Sequence, residues 1–453
     1  MRWLAALLAL AIAGAAAGSQ PGAEPNTRVP KGVVAYAPGP FPDRIVASPA
    51  QDAARGFAVA WRTDTTVQQP WLEIVEASDS PDPGTPRRIR AESRPASDAQ
   101  AAGHHHHARI DGLAPDTLYA WRVQGRGTWS PWFQLRTAPA RGRPLTLLYF
   151  GDTQNKNVSL NTRVVREAMR QAPEARLALF AGDLVSGGDG EDDAEWGEWF
   201  EALGALPTAM LLAPAAGNHE YRELDEGTSQ ERRVLSPFWA DSFTLPDDGA
   251  VGAPATTYWF DAGDLRVAVL DGTSALDLGT AAAQAAWLER VLSAQPRRWT
   301  VVMVHQPLHS PRDGRDNAAL REAILPVLRR HRVDLVLQGH DHVYARRSDD
   351  GGRLPVFVVS VAGPKQYRLS AHARASMHPV GEDTQLFQVL RIDGDRLRYE
   401  ARTATGRLYD AFELRDRRPG RPRGLVEQVA GRIPPRDCPR PLSPKGRADR
   451  CWE

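Results

Sequence analysis

The chain has 453 residues, with 56 Lys and Arg against 55 Asp and Glu, a formal net charge of +1. That length suits two domains plus appendages, and the even balance leaves no global basic surface that would mark a nucleic-acid partner.

Arg2 precedes an apolar stretch over residues 3–17 that ends in the small residues Ala15 and Ala17, the form of a signal peptide at 1–17. It is too short and too rich in alanine for a membrane-spanning helix, and no later run matches it in apolar length. The expectation is a mature chain without a membrane span, secreted or periplasmic; an uncleaved anchor is the competing reading. Removing Arg2 leaves 55 basic against 55 acidic residues (56 − 1 = 55), so charge names no partner. Residues 18–31 read as a linker.

Residues 32–138 change character: short alternating runs such as 56–61 and 71–75 are separated by Asp, Ser, Pro and Gly, as in an antiparallel sandwich. Within it, His104 to His107 form a run of four. On a strand, neighbouring side chains face opposite ways, so two would point to each side and no compact metal site forms; a solvated strand entry or an interdomain contact is expected instead.

From 143 to 415, polar residues follow apolar strand-like runs five times. The runs 145–150, 177–181, 210–213, 300–304 and 333–337 lead to Gly151-Asp152-Thr153-Gln154, Gly182-Asp183, Gly217-Asn218-His219-Glu220, His305 and Gly339-His340-Asp341-His342. Strands of this kind are buried on both faces, and the carboxyl edge of an open α/β sheet is where ligands bind. Carboxylate, imidazole and amide oxygen together suit Zn, Mn or Fe rather than a thiolate site. Two cations about 3.5–4 Å apart can clamp the attacking and leaving oxygens of a displacement at phosphorus. Asp183 is the candidate bridge. Helices are expected over 160–171, 193–203, 282–292 and 318–331, with Trp196, Trp199 and Phe200 as core aromatics, and a hairpin is expected over 258–261 and 265–270.

In this order the segments resemble the calcineurin-like metallophosphoesterase superfamily, whose usual pattern is DxH, GDxxD, GNH(D/E), H and GHxH. The resemblance implies an α/β four-layer αββα sandwich holding two divalent metal ions. Asp152, Gln154, Asp183 and His342 would hold the first, and Asp183, Asn218, His305 and His340 the second. His219 matches the histidine that contacts phosphate and protonates the leaving group, with Glu220 behind it. Two positions depart: Gln154 replaces the usual histidine, and Ser186 stands where purple acid phosphatases have a metal-binding tyrosine, so no purple ferric enzyme is expected. His309 is a candidate for the substrate pocket or a solvated loop residue, and Lys365 is a surface lysine unless its loop approaches the crevice. Asp341 should point away. The stretch 108–127, with Tyr119 at a strand corner, resembles a fibronectin type III module, so an all-β fibronectin type III-like sandwich precedes the catalytic domain. Such a module in this place is also similar to the amino-terminal domain of purple acid phosphatases.

Residues 416–453 are rich in Arg and Pro and are expected as an extended surface tail, in which Cys438 and Cys451 can pair if the chain is exported. The reading is an exported phosphatase that hydrolyses phosphate monoesters of small molecules with metal-activated water. The alternatives are a phosphodiesterase or nucleotide hydrolase on the same site, or a non-catalytic extracellular binding protein with a remnant metal centre.

Overall fold

Alternation of apolar residues along short strands builds the first domain. The computed structural model describes residues 25–96, 102–186, 192–349, 353–415 and 424–453; the expected signal peptide and the first half of the linker lie outside the described residues. One antiparallel sheet has the order Asp43–Pro49, Phe57–Thr63, His104–Ile110, Glu92–Pro95, and the other Arg87–Arg90, Trp71–Glu76, Leu118–Val123, Phe133–Arg136. Phe57, Val59, Trp61, Leu72, Ile74 and Trp121 fill the space between them. Tyr119 sits at the expected corner, its hydroxyl accepting from the Ala114 N–H at 2.9 Å.

The histidine run divides by strand parity. His106 lies 2.8 Å from both Thr63 Oγ1 and Ser93 Oγ, against the Trp61 ring. His105 and His107 turn the other way, to Asp241 at 3.9 Å and Thr244 at 2.8 Å in the second domain. His104 and His106 therefore stay within the first domain, and His105 and His107 form an interdomain contact. Arg62 reinforces it: fully buried, the guanidinium donates to Asp43 at 2.9 Å and to Asp193, the first residue of the helix Asp193–Leu203, at 3.1 Å.

The second domain contains two seven-stranded sheets. The first runs Leu211–Pro214, Leu177–Phe180, Leu145–Phe150, Leu386–Asp393, Arg396–Thr403, Leu408–Arg415, Gly424–Glu427. The second runs Tyr258–Ala262, Leu265–Leu270, Trp299–Val304, Leu335–Gln338, Arg353–Val359, Tyr344–Asp349, Val380–Gly381. Side-chain alternation sets the layers. Val267, Val269, Val301, Met303 and Leu335 share a core with the first sheet, whereas Ala268, Leu270, Val302 and Val336 pack on Trp287, Leu288, Ile324 and Leu328 of the helices Ala281–Ser293 and Ala318–Arg330. Thr162–Gln171 and Asp193–Leu203 cover the first sheet, where Trp199 meets the Phe180 ring edge-on at 5.8 Å. Trp196 and Trp199 are thus core aromatics. The helix expected from 160 opens as a π-helical turn, Asn157–Asn161.

The carboxyl-terminal segment runs along the surface and is anchored to the fold. Gly424–Glu427 adds an edge strand beside Leu408–Arg415, and Arg450–Trp452 pairs with Gln366–Tyr367. Cys438 and Cys451 form a disulfide with Cα atoms 5.2 Å apart. Arg-rich composition suggested solvated chain, but Arg432 reaches the buried Asp410 at 3.0 Å and other arginines find carboxylates in the same way.

Burial holds His106 down to about 3 and His107 down to about 4, so both stay neutral in the fold and take protons more readily when unfolded. Proton uptake then favours the unfolded chain as pH falls from about 6.5 towards 4, and the Tm should drop through that window. In the His106→Gln variant, calorimetric scans should show a shallower drop; the same slope in both proteins would refute the assignment.

Candidate metal centre

Parallel registers bring the strand ends level. Leu177 pairs with both Leu147 and Leu211, and Val301 pairs with Leu335, so the residues just beyond each strand leave the sheets at similar heights. The two sheets meet at this edge, where the Tyr149 hydroxyl donates to the Gln338 carbonyl at 2.6 Å and Asp152 bridges to Val361. Asp152, Gln154, Asp183, Asn218, His305, His340 and His342 converge there.

Two groups of ligand-capable atoms result: Asp183 with His305 and His340, and Asp152 with Asp183 and His342, the atoms of each lying within 4.8 Å of one another. His305 Nε2 is 3.2 Å from Asp183 Oδ2, 3.1 Å from His340 Nδ1 and 3.3 Å from Asn218 Oδ1. His342 Nε2 is 3.1 Å from Asp152 Oδ2 and 3.0 Å from Gln154 Nε2, which lies 2.9 Å from Asp183 Oδ2. Ligand atoms about 2.1 Å from one cation lie roughly 3.0–3.4 Å apart in octahedral or tetrahedral geometry, so these separations suit shared coordination.

Local chemistry agrees. His305 Nδ1 faces the Ala181 carbonyl at 2.7 Å and His342 Nδ1 the Lys365 carbonyl at 2.9 Å; donation there leaves each Nε2 lone pair directed inward. Asp152 Oδ2 and Gln154 Oε1 are buried without a hydrogen bond, although the former is close to His342 Nε2. A carboxamide presents its oxygen and nitrogen interchangeably in shape, so a half-turn of Gln154 would put Oε1 where Nε2 lies, beside Asp183 and His342. The residues present fit a pair of divalent cations.

The backbone around the site is constrained. Asp183, His340 and His342 have φ of 48°, 71° and 48°, the left-handed region that side chains seldom adopt. A Cβ on Gly217 would collide with Asp183 Oδ1, and one on Gly339 with Asp152 Oδ1. Glu220 lies behind: its carboxylate accepts from the backbone N–H groups of Asp183 at 2.9 Å, Leu184 at 2.8 Å and Gly217 at 2.7 Å.

Burial, then the Asp183 charge, pushes Glu220 up to about 7. Burial opposes ionisation of Asp183, yet His305 and His219 hold it well below the usual carboxylate range. His305 rises to about 9 despite burial, because Asp183 and Asp152 favour positive charge there, and His340 falls well below its ordinary value through burial and then His305. A cation replaces such a proton readily.

His219 donates its backbone N–H to Asp183 Oδ1 at 3.0 Å and lines a cavity of 380 Å³ with Asn155, Ser186, Lys365, Lys445, Arg447, Arg450 and Glu453. Lys365 thus faces the crevice. His309 does not: its ring lies edge-on to Phe357 at 5.1 Å, on the helix side of the second sheet, because the chain has turned away four residues beyond His305. Asp341 points away as expected, its carboxylate held by Ser310 at 2.6 Å and by Arg315. The tail residues at the cavity were not foreseen; the paired cysteines were the only sign that the tail is anchored.

Comparison with known proteins agrees with this geometry. Residues 145–344 match the calcineurin-like phosphoesterase family and residues 42–137 the purple acid phosphatase N-terminal domain. The chain therefore carries a calcineurin-like phosphoesterase domain preceded by a purple acid phosphatase N-terminal domain. An uncharacterized protein of Mycobacterium tuberculosis is 29% identical over 331 residues, covering 65% of this chain and 60% of the relative. The Fe(3+)-Zn(2+) purple acid phosphatase 12 of Arabidopsis thaliana is 26% identical over 257 residues, 54% of this chain and 52% of that protein. The chain thus spans less than two thirds of the length of these relatives. In fold, it is similar to a purple acid phosphatase from yellow lupin seeds, with a TM-score of 0.68, 18% identity, and coverage of 82% of this chain and 74% of that one. It is also similar to PhoD, with a TM-score of 0.62, 12% identity, and coverage of 90% and 96%.

Gly339→Ala should displace Asp152 and weaken metal binding about 10- to 100-fold, while Gly39→Ala, with open space around it, should not. Mass-spectrometric metal titration checks this, and equal affinity in the two variants would remove Asp152 from the ligand set.

Proposed function

We propose that this chain is an exported dinuclear metal-dependent phosphatase that hydrolyses phosphate monoesters. The observation that carries the reading is Asp183, the residue common to both groups of ligand-capable atoms. One cation would be held by Asp152, Gln154, Asp183 and His342, the other by Asp183, Asn218, His305 and His340, with Zn, Mn or Fe suited to the donors. When bound, the pair supplies positive charge to the phosphoryl oxygens and lowers the pKa of a water for in-line attack.

The protein groups do the rest. His219, whose backbone is fixed on Asp183, carries the proton to the departing alcohol oxygen. Glu220 holds the turns that present Asp183 and Asn218 at a fixed separation. Lys365 adds charge at the rim through its side chain while its carbonyl orients His342. Export is supported by the leader-like residues 1–17 and by the disulfide, which forms and persists in oxidising compartments. With Ser186 in the cavity wall and no tyrosine at that position, the enzyme is expected to be colourless.

Purified protein stripped with a chelator should lose turnover of an aryl phosphate and regain it with a divalent metal; unchanged turnover would rule the mechanism out. His219→Ala should lower kcat about 10²- to 10⁴-fold while bound metal stays constant. The ratio of rates on an aryl monoester and its bis-aryl diester decides between phosphatase and diesterase.

A further inference from the structure

Beside His219 lies a band of cations, of which Lys445, Arg447 and Arg450 have no part in that chemistry. Lys365, Lys445, Arg447 and Arg450 line the 380 Å³ cavity against one side-chain carboxylate, Glu453, whose Oε1 accepts from Ser443 Oγ at 2.6 Å. Asp449 offsets little, because it is shared by three guanidinium groups: Arg312 at 3.2 Å, Arg447 at 3.3 Å and Arg450 at 3.6 Å. Among the described residues, the ammonium groups of Lys365 and Lys445 make no ion pair. Like charges gathered this closely destabilise the fold unless an anion joins them.

The band is fixed in place. Arg450–Trp452 pairs with Gln366–Tyr367, Cys451 is bonded to Cys438, and the Cys438 N–H donates to Glu382 at 2.8 Å. The Tyr367 ring carries Arg312, Arg450 and Lys365 at 3.9, 5.1 and 5.5 Å from its centroid, and lies 4.7 Å from the His342 ring. The carboxyl-terminal arm is thereby joined to the loop that orients a ligand of the metal centre.

We propose that this arm binds a second phosphoryl group, so that the preferred substrates are small polyphosphorylated molecules. The proposal rests on the phosphatase reading above: one phosphoryl group sits over the metal centre beside His219, and its neighbour meets Lys365, Lys445 and Arg447. Guanidinium and ammonium groups match the charge and the multiple acceptor oxygens of phosphate. For a phosphoanhydride, water forms the new P–O bond, the bridging P–O bond breaks, the departing phosphate takes up the proton from His219, and the proton that the water gives up restores His219 through solvent.

The test uses the full chain loaded with metal, with an aryl monophosphate and inorganic tripolyphosphate as substrates. In the double variant Lys445→Gln, Arg447→Gln, kcat/KM should fall about tenfold or more for tripolyphosphate, mainly through KM, and at most about threefold for the aryl ester. Equal losses on both substrates, or none on either, overturn the proposal. Calorimetric binding of tripolyphosphate separates this result from failure of the parent reading. If the wild-type protein leaves the aryl ester intact, the phosphatase reading has failed, and the isotherms alone decide the arm: weaker binding by the variant keeps it, and equal binding rejects it.

Discussion

The carboxylate of Asp183 is the point from which the rest of the site is measured. It lies 3.2 Å from His305 Nε2 and 2.9 Å from Gln154 Nε2, atoms of the two different ligand groups, so any error in its place would separate them. Its backbone has φ of 48°, a conformation that costs about 1–3 kcal/mol for an ordinary side chain. That cost is offset by what surrounds it: Glu220 accepts from its N–H, its carbonyl accepts from Thr153 and Gln154 at 3.2 and 2.9 Å, and Gly217 leaves no Cβ against its oxygen. The strained exit turns the carboxylate back over the sheet edge instead of outward along the strand.

Much of this arrangement was readable because strand cores and ligand residues carry strong, separate signals. Runs such as Leu145–Phe150 and Leu265–Leu270 are apolar on both faces, and their observed bounds agree with the expected ones. Convergence of Asp152, Asp183 and Asn218 follows once their strands are parallel and adjacent, and His305 joins them from the second sheet, which meets the first at this edge. His309 shows the limit of this reasoning. Four residues past His305, side-chain direction depends on how the loop turns, and the ring was captured by Phe357 on the opposite face of the sheet.

The tail marks a second limit. Arg and Pro are poor strand and core formers, so composition favoured a solvated segment. What overrode it was tertiary: buried acids such as Asp410 and Glu382 need cations or donors, and Arg432 and the Cys438 backbone provide them from the tail. Isolated buried carboxylates are expensive, so an arginine-rich segment that reaches them is held firmly without an apolar face of its own. The histidine run obeyed the simpler rule of strand parity and could be divided correctly between its two faces.

Both ends of the described chain reach the rim of the cavity, and this changes how the site is enclosed. Asn26 accepts from Asn155 Nδ2 at 2.8 Å and, through its carbonyl, from the Lys156 N–H at 3.0 Å; it also contacts Ser186 and Glu195. Opposite, Arg450–Trp452 holds the strand after Lys365. The loops that follow Gln154, Asp183 and Gly363 emerge from different strands and would otherwise be fixed only at their bases. Clamping them from outside builds the cavity wall from segments where strand periodicity has nothing to say, on a sheet edge that periodicity defines.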